Sequence, residues 1–116
     1  MSPTDPISTQ PGTAAGQTPV RFDRHELNHI LSLYGRMVAI GEWRDYALDF
    51  TREAAVFSIY RRASERPLYR IEKCPKLRNR QGAYAVIADT GHILKRGHEL
   101  DQVLRVFNAR RFNLVD

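Results

Sequence analysis

"RDYALDFTREAAVFSIYRRASERPLYRIEKCP", residues 44–75, is the stretch that decides the fold. Near its start, Tyr46, Leu48 and Phe50 alternate with Asp45, Ala47 and Asp49. A period of two sends successive side chains to opposite faces of an extended chain, so this is a half-buried strand. Thr51-Arg52-Glu53 reads as a turn. Residues 54–62, AAVFSIYRR, are β-rich and apolar on both faces until Tyr60. SERP at 64–67 is a second turn and LYRIEK at 68–73 a third strand. Pro75 stops that strand, because proline has no N–H to donate to a ladder. Short turns between consecutive strands predict antiparallel neighbours.

Toward the C-terminus, PKLRNRQG (75–82) is a basic loop and AYAVIA (83–88) a fourth strand. DTG (89–91) is a hairpin turn, and HILKR (92–96) is a short fifth strand broken by Gly97. Leu100, Val103, Leu104 and Phe107 then return to helical spacing. Glu99 and Asp101 lie in the first turn and Arg105 nearer the end, which complements the helix dipole. Phe112, Leu114 and Val115 are expected to dock on the core. Toward the N-terminus, Asp23 and Glu26 form a capping-box pair. Leu27, Ile30, Leu31, Tyr34, Met37 and Val38 follow along one helical face, and Gly41 ends the helix, which spans about 24–40. The pattern predicts an α+β domain: an antiparallel five-stranded meander flanked by an N-terminal and a C-terminal helix, in two layers.

Residues 1–20 are rich in Pro, Ser, Thr and Gly, with Asp5 the single charged side chain. Such a segment buries too little apolar surface to offset its ordering entropy, so a disordered tail is expected ahead of one domain at 21–116. The whole chain has 116 residues, 42% hydrophobic and 27% charged, ordinary for one globular unit. No apolar run approaches the roughly 18 residues of a membrane helix. The first 20 residues hold no Lys or Arg and no apolar stretch, so no secretory signal is expected. A lone cysteine, Cys74, makes no internal disulfide and reads as a half-buried inert thiol in a reducing compartment. A cytoplasmic protein is expected, with no membrane partner.

HELNH, residues 25–29, has the letters of the zinc-peptidase signature, in which two His one helical turn apart hold the metal and the Glu is general base. At 100° per residue, with His25 at 0°, His29 falls at about 40° and the apolar face between roughly 120° and 240°. The histidines therefore face solvent, and Glu26 is engaged in the cap. No spacing selects His92 or His98 as a third ligand. A zinc hydrolase using His25, Glu26 and His29 is the least favoured reading; no metal and no cofactor are expected.

The net charge of +5 is local. Residues 61–80 hold eight basic side chains against Glu65 and Glu72, so the rest of the chain sums to −1. Tyr60, Tyr69 and Tyr84 are interleaved with this segment. Lys and Arg neutralise phosphates, and tyrosine faces stack bases. Alternation sets Tyr69 and Arg70 on opposite faces, whereas Lys73 shares the face of Tyr69. Trp43, just after the first helix, reads as a lid on the core edge.

The strings LYGRMVAIGEWRDYALDF (33–50), PLYRIEKCPKLRNRQGAYAVI (67–87) and HILKRGHELDQVLRV (92–106) resemble a family of short alphaproteobacterial proteins, a domain of unknown function. The resemblance covers about 22–108. It implies a bacterial cytosolic protein and brings no activity and no catalytic residues.

The favoured reading is a non-catalytic binding module contacting RNA or DNA phosphates. Arg61, Arg62, Arg70, Lys73, Lys76, Arg78 and Arg80 supply charge, and Tyr69 and Tyr84 are the candidate stacking residues. The alternative is an adaptor that binds an acidic protein through the same patch, or a homodimer using Trp43 and a sheet edge.

Overall fold

The computed structural model describes residues 18–62 and 66–115, with 109–115 described by backbone alone. The tail expected at 1–20 therefore lies almost wholly outside the described residues, as does the docking of Phe112, Leu114 and Val115. Helix α1 runs Arg24–Ala39. Asp23 accepts from the Glu26 N–H, and the Glu26 carboxylate accepts from the Asp23 N–H, both at 2.8 Å, so the box closes reciprocally. Gly41, with φ +82°, turns the chain out of the helix.

The strands are β1 Asp45–Phe50, β2 Ala55–Tyr60, β3 Tyr69–Lys73, β4 Tyr84–Ala88 and β5 Ile93–Gly97. They pair antiparallel in chain order, a five-stranded meander with β1 and β5 at its edges. Helix α2, Leu100–Val115, follows β5 directly. The architecture is α+β in two layers, as the sequence predicts.

The register fixes which side chains share a face. One row reads Leu48, Phe57, Ile71, Val86; the next reads Phe50, Ala55, Lys73, Tyr84, Gly97; a third joins Tyr46, Ile59, Tyr69 and Ala88. This is the helix-covered face. Phe57, Ile59, Ile71 and Val86 are fully buried there with Ile30, Leu33 and Met37 of α1 and Val103, Leu104 and Phe107 of α2. Each large side chain buried in this layer is worth about 1.5–3 kcal/mol. Trp43 is 4% exposed, its ring edge-on to Phe107 at 5.0 Å, so it is indeed a lid on the core and not a surface anchor. The other face carries Ala47, Ser58, Arg70 and Ile87 in one row and Asp49, Val56, Glu72, Ala85 and Arg96 in the next.

Helix α1 is rolled relative to the expected wheel. Its buried residues are Glu26, Ile30, Leu33 and Met37, centred near 110°, while Leu27, Leu31 and Tyr34 only flank the core and Val38 is exposed. Two residues outside the expected apolar face lie on the buried side: Leu33, 4% exposed, and Glu26, which Lys73 and Tyr84 hold from the sheet. Among the described residues no helix is long and apolar enough to cross a membrane.

Candidate functional site

The basic segment 61–80 does not form one patch. Strand β3 runs through it and divides it between the two ends of the sheet. Arg61 and Arg62 are exposed at the end of β2, and Arg66 donates to the Asp89 carbonyl at 2.8 Å. Lys76, Arg78 and Arg80 are exposed beyond the other end of β3, which spans roughly 15 Å. Arg70 lies on the face away from the helices, 3.4 Å from Glu72. Lys73 is drawn into the core layer. Tyr69 and Tyr84 lie on the helix-covered face. The Tyr69 ring is edge-on to Phe107 at 5.0 Å, and the Tyr84 hydroxyl is hydrogen-bonded within the protein. Neither ring is laid out on an open sheet as a stacking platform.

The loop carrying Lys76, Arg78 and Arg80 is ordered by its own backbone. A 3₁₀ turn spans Pro75–Leu77, and the Leu77 carbonyl accepts from the N–H groups of Arg80, Gln81 and Gly82. Cys74, half-buried, donates its N–H to the Ala83 carbonyl at 2.6 Å and closes the loop. Gly82 has φ +107°, and a Cβ there would lie 2.4 Å from the Gly97 backbone, so β5 holds the end of the loop in place. Arg96 of β5 reaches the same point, Nη1 3.4 Å from the Gly82 carbonyl. Sequence reading missed Arg96 because 16 residues separate it from Arg80; the β4–β5 pairing of Ala85 with Arg96 brings it there. The result is a basic corner of Lys76, Arg78, Arg80 and Arg96.

Behind this corner stands a buried polar cluster. Lys73 and Tyr84 are cross-strand partners on β3 and β4, beneath the first turn of α1. Lys73 Nζ donates to Glu26 Oε1 at 2.7 Å and to the Arg21 carbonyl at 2.8 Å. Tyr84 Oη donates to Glu26 Oε2. The Glu26 and Lys73 side chains are 9% and 17% exposed. Burial pushes the Tyr84 phenol well above its ordinary range, and the hydrogen bond to Glu26 and the nearby carboxylate charge push it further. Tyr34 is raised too, by burial and then by the charge of Asp45; its hydroxyl donates to the Arg44 carbonyl at 2.6 Å. Both Glu26 oxygens accept hydrogen bonds from the protein, so its carboxylate clamps α1 to the sheet rather than facing a metal-bound water.

A cleft of about 370 Å³ opens beside this cluster, where the first turns of α1 and α2 meet. His25, His29 and His98 line it with Asp23, Glu99 and Asp101. The HELNH histidines are exposed, their rings edge-to-face at 4.8 Å, and the fold does bring His98 to their cleft. Among the described residues no three His, Cys, Asp or Glu side chains are grouped so as to hold a metal ion.

No curated protein and no solved structure matches the chain. The family described as "Protein of unknown function (DUF2794)" matches residues 20–104, which run from the residue hydrogen-bonded to Thr51 to the second turn of α2. That match takes in α1, all five strands, the basic corner and the Glu26 cluster. The chain therefore belongs to the DUF2794 family of proteins of unknown function.

Proposed function

We propose that the domain is a non-catalytic binding module that contacts nucleic-acid phosphates through the corner of Lys76, Arg78, Arg80 and Arg96. One observation carries the reading. Lys76, Arg78 and Arg80 are all exposed on a hydrogen-bonded loop, and none is ion-paired to a described residue. No acidic residue occurs between Lys73 and Asp89 in the sequence to neutralise them. A preordered loop loses little conformational entropy when its cations meet phosphates. The two tyrosines are committed to the core layer, so the contact is to the backbone of the nucleic acid and carries little sequence information. Arg61 and Arg62, at the far end of the sheet, extend the contact only on a partner long enough to span β3.

The test is fluorescence anisotropy of labelled single-stranded RNA and duplex DNA against the full chain at several salt concentrations. Neutralising about four phosphates predicts roughly a 100-fold loss of affinity between 50 and 200 mM salt. Absence of binding to both probes at 50 mM salt would overturn the reading.

A further inference from the structure

A second surface lies at the other end of the molecule, around the C-terminal turn of α1. Two clefts flank that turn. One, of about 450 Å³, is lined by Leu33, Met37 and Ile40 with Arg36 on its rim. The other, of about 620 Å³, is lined by Val38, Glu42, Arg44, Arg61 and Arg62. Three of the four large apolar side chains exposed among the described residues belong to this end: Val38 at 39%, Ile40 at 43% and Tyr46 at 45%. Arg44 is carried to Arg61 and Arg62 by its N–H, which donates to the Tyr60 carbonyl at 2.9 Å and continues the β1–β2 ladder. None of these arginines is ion-paired to a described residue.

We infer that the two clefts bind an acidic peptide segment bearing large apolar side chains. Charge complementarity selects the occupant: among the described residues, four guanidinium groups and one carboxylate, Glu42, line the clefts around the exposed Val38 and Ile40. Arginine pairs carboxylates bidentately, and arginines together with large side chains buried in pockets carry much of the energy of interfaces. The chain's own residues 1–17 do not fit, because Asp5 is their single charged group. A second copy of the chain fits poorly, since a two-fold contact would set the same arginines against one another. Phosphates alone would satisfy the arginines and leave Val38 and Ile40 in water. This surface is separate from the basic corner and does not depend on it.

The experiment is selection of a displayed random-peptide library on the full chain, followed by anisotropy of the selected peptides with variants. Val38→Ser/Ile40→Ser tests the apolar part and Arg44→Gln/Arg62→Gln the charged part. All four side chains are at the surface, and circular dichroism melting verifies that both variants fold. The expected result is enrichment of peptides with net negative charge and at least two large apolar residues. Their affinity should fall tenfold or more in each variant. The inference is overturned if enriched peptides show no excess of Asp and Glu, or if their binding is indifferent to either variant. It is equally overturned if an oligonucleotide depends on Val38 and Ile40 as the peptides do, or if the parent sediments as a dimer that these substitutions dissociate.

Discussion

Replacing Lys73 with methionine removes the charge that holds Glu26 while keeping most of the apolar stem. The pair is close, 2.7 Å, and poorly hydrated, with side chains 17% and 9% exposed. Deleting one partner of a fully buried pair costs about 3–5 kcal/mol, because the other charge is left unpaired. Glu26 keeps the Asp23 N–H and the Tyr84 hydroxyl, and water reaches the Lys73 position. The expected loss is therefore about 2–3 kcal/mol at pH 7, or roughly 10–20 °C in Tm for a folded unit of this size. Trp43 is the single tryptophan and is buried against Phe107, so its fluorescence reports equilibrium unfolding in guanidinium chloride. A double-mutant cycle with Glu26→Gln should return a coupling of about 1 kcal/mol or more. A loss below about 0.5 kcal/mol for Lys73→Met, with unchanged denaturant slope, would refute the reasoning. The pair would then behave as an ordinary exposed salt bridge.

The Tyr84 phenol is raised on folding, so the folded state holds its proton above the ordinary tyrosine value of about 10 while the unfolded chain releases it. Its stabilisation is complete below that value and is lost as pH rises above it. Unfolding free energies at pH 9, 10 and 11 should therefore decline, less steeply in Tyr84→Phe; Tyr34 keeps that variant's slope from vanishing. An equal decline in parent and variant would contradict the assignment. Gly82→Ala should cost about 3 kcal/mol or more, from its positive φ and the Gly97 backbone behind it, and exchange-protected amides of β5 should open. An alanine variant as stable as the parent would be incompatible with that close approach. His29→Ala should change stability by less than about 0.5 kcal/mol, because the ring is exposed, and should leave zinc content after dialysis unchanged. Stoichiometric zinc lost on that substitution would restore the hydrolase reading.

The fold was legible because local signals agreed with one another. The switch from helical spacing to alternation after Gly41, the Asp23–Glu26 box and the glycine turns at 41 and 91 each name an element boundary. The roll of α1 was legible only in part: Leu33 is an apolar residue on its buried side, whereas the burial of Glu26 depends on partners 47 and 58 residues beyond it. A signal was nevertheless present. Tyr69, Ile71 and Lys73 alternate onto one face, and a lysine on an inward face calls for a buried carboxylate. The acid in the cap, which looked fully employed, was that partner. The basic segment misled in the opposite sense. Eight cations within 20 residues look like one patch on paper, but a strand through the middle sends them to two ends and two faces. Arg96, distant in sequence, joins them through strand pairing instead.

The most direct measurement is the salt slope of nucleic-acid affinity for the parent chain against the variant Lys76→Gln, Arg78→Gln, Arg80→Gln. With about four phosphates neutralised, log Kd should rise with log salt at a slope of roughly 3.6; removing three cations should bring it near 1 and weaken binding at 50 mM salt. An unchanged slope in the triple variant would show that the phosphates are held elsewhere and would contradict the proposed interface.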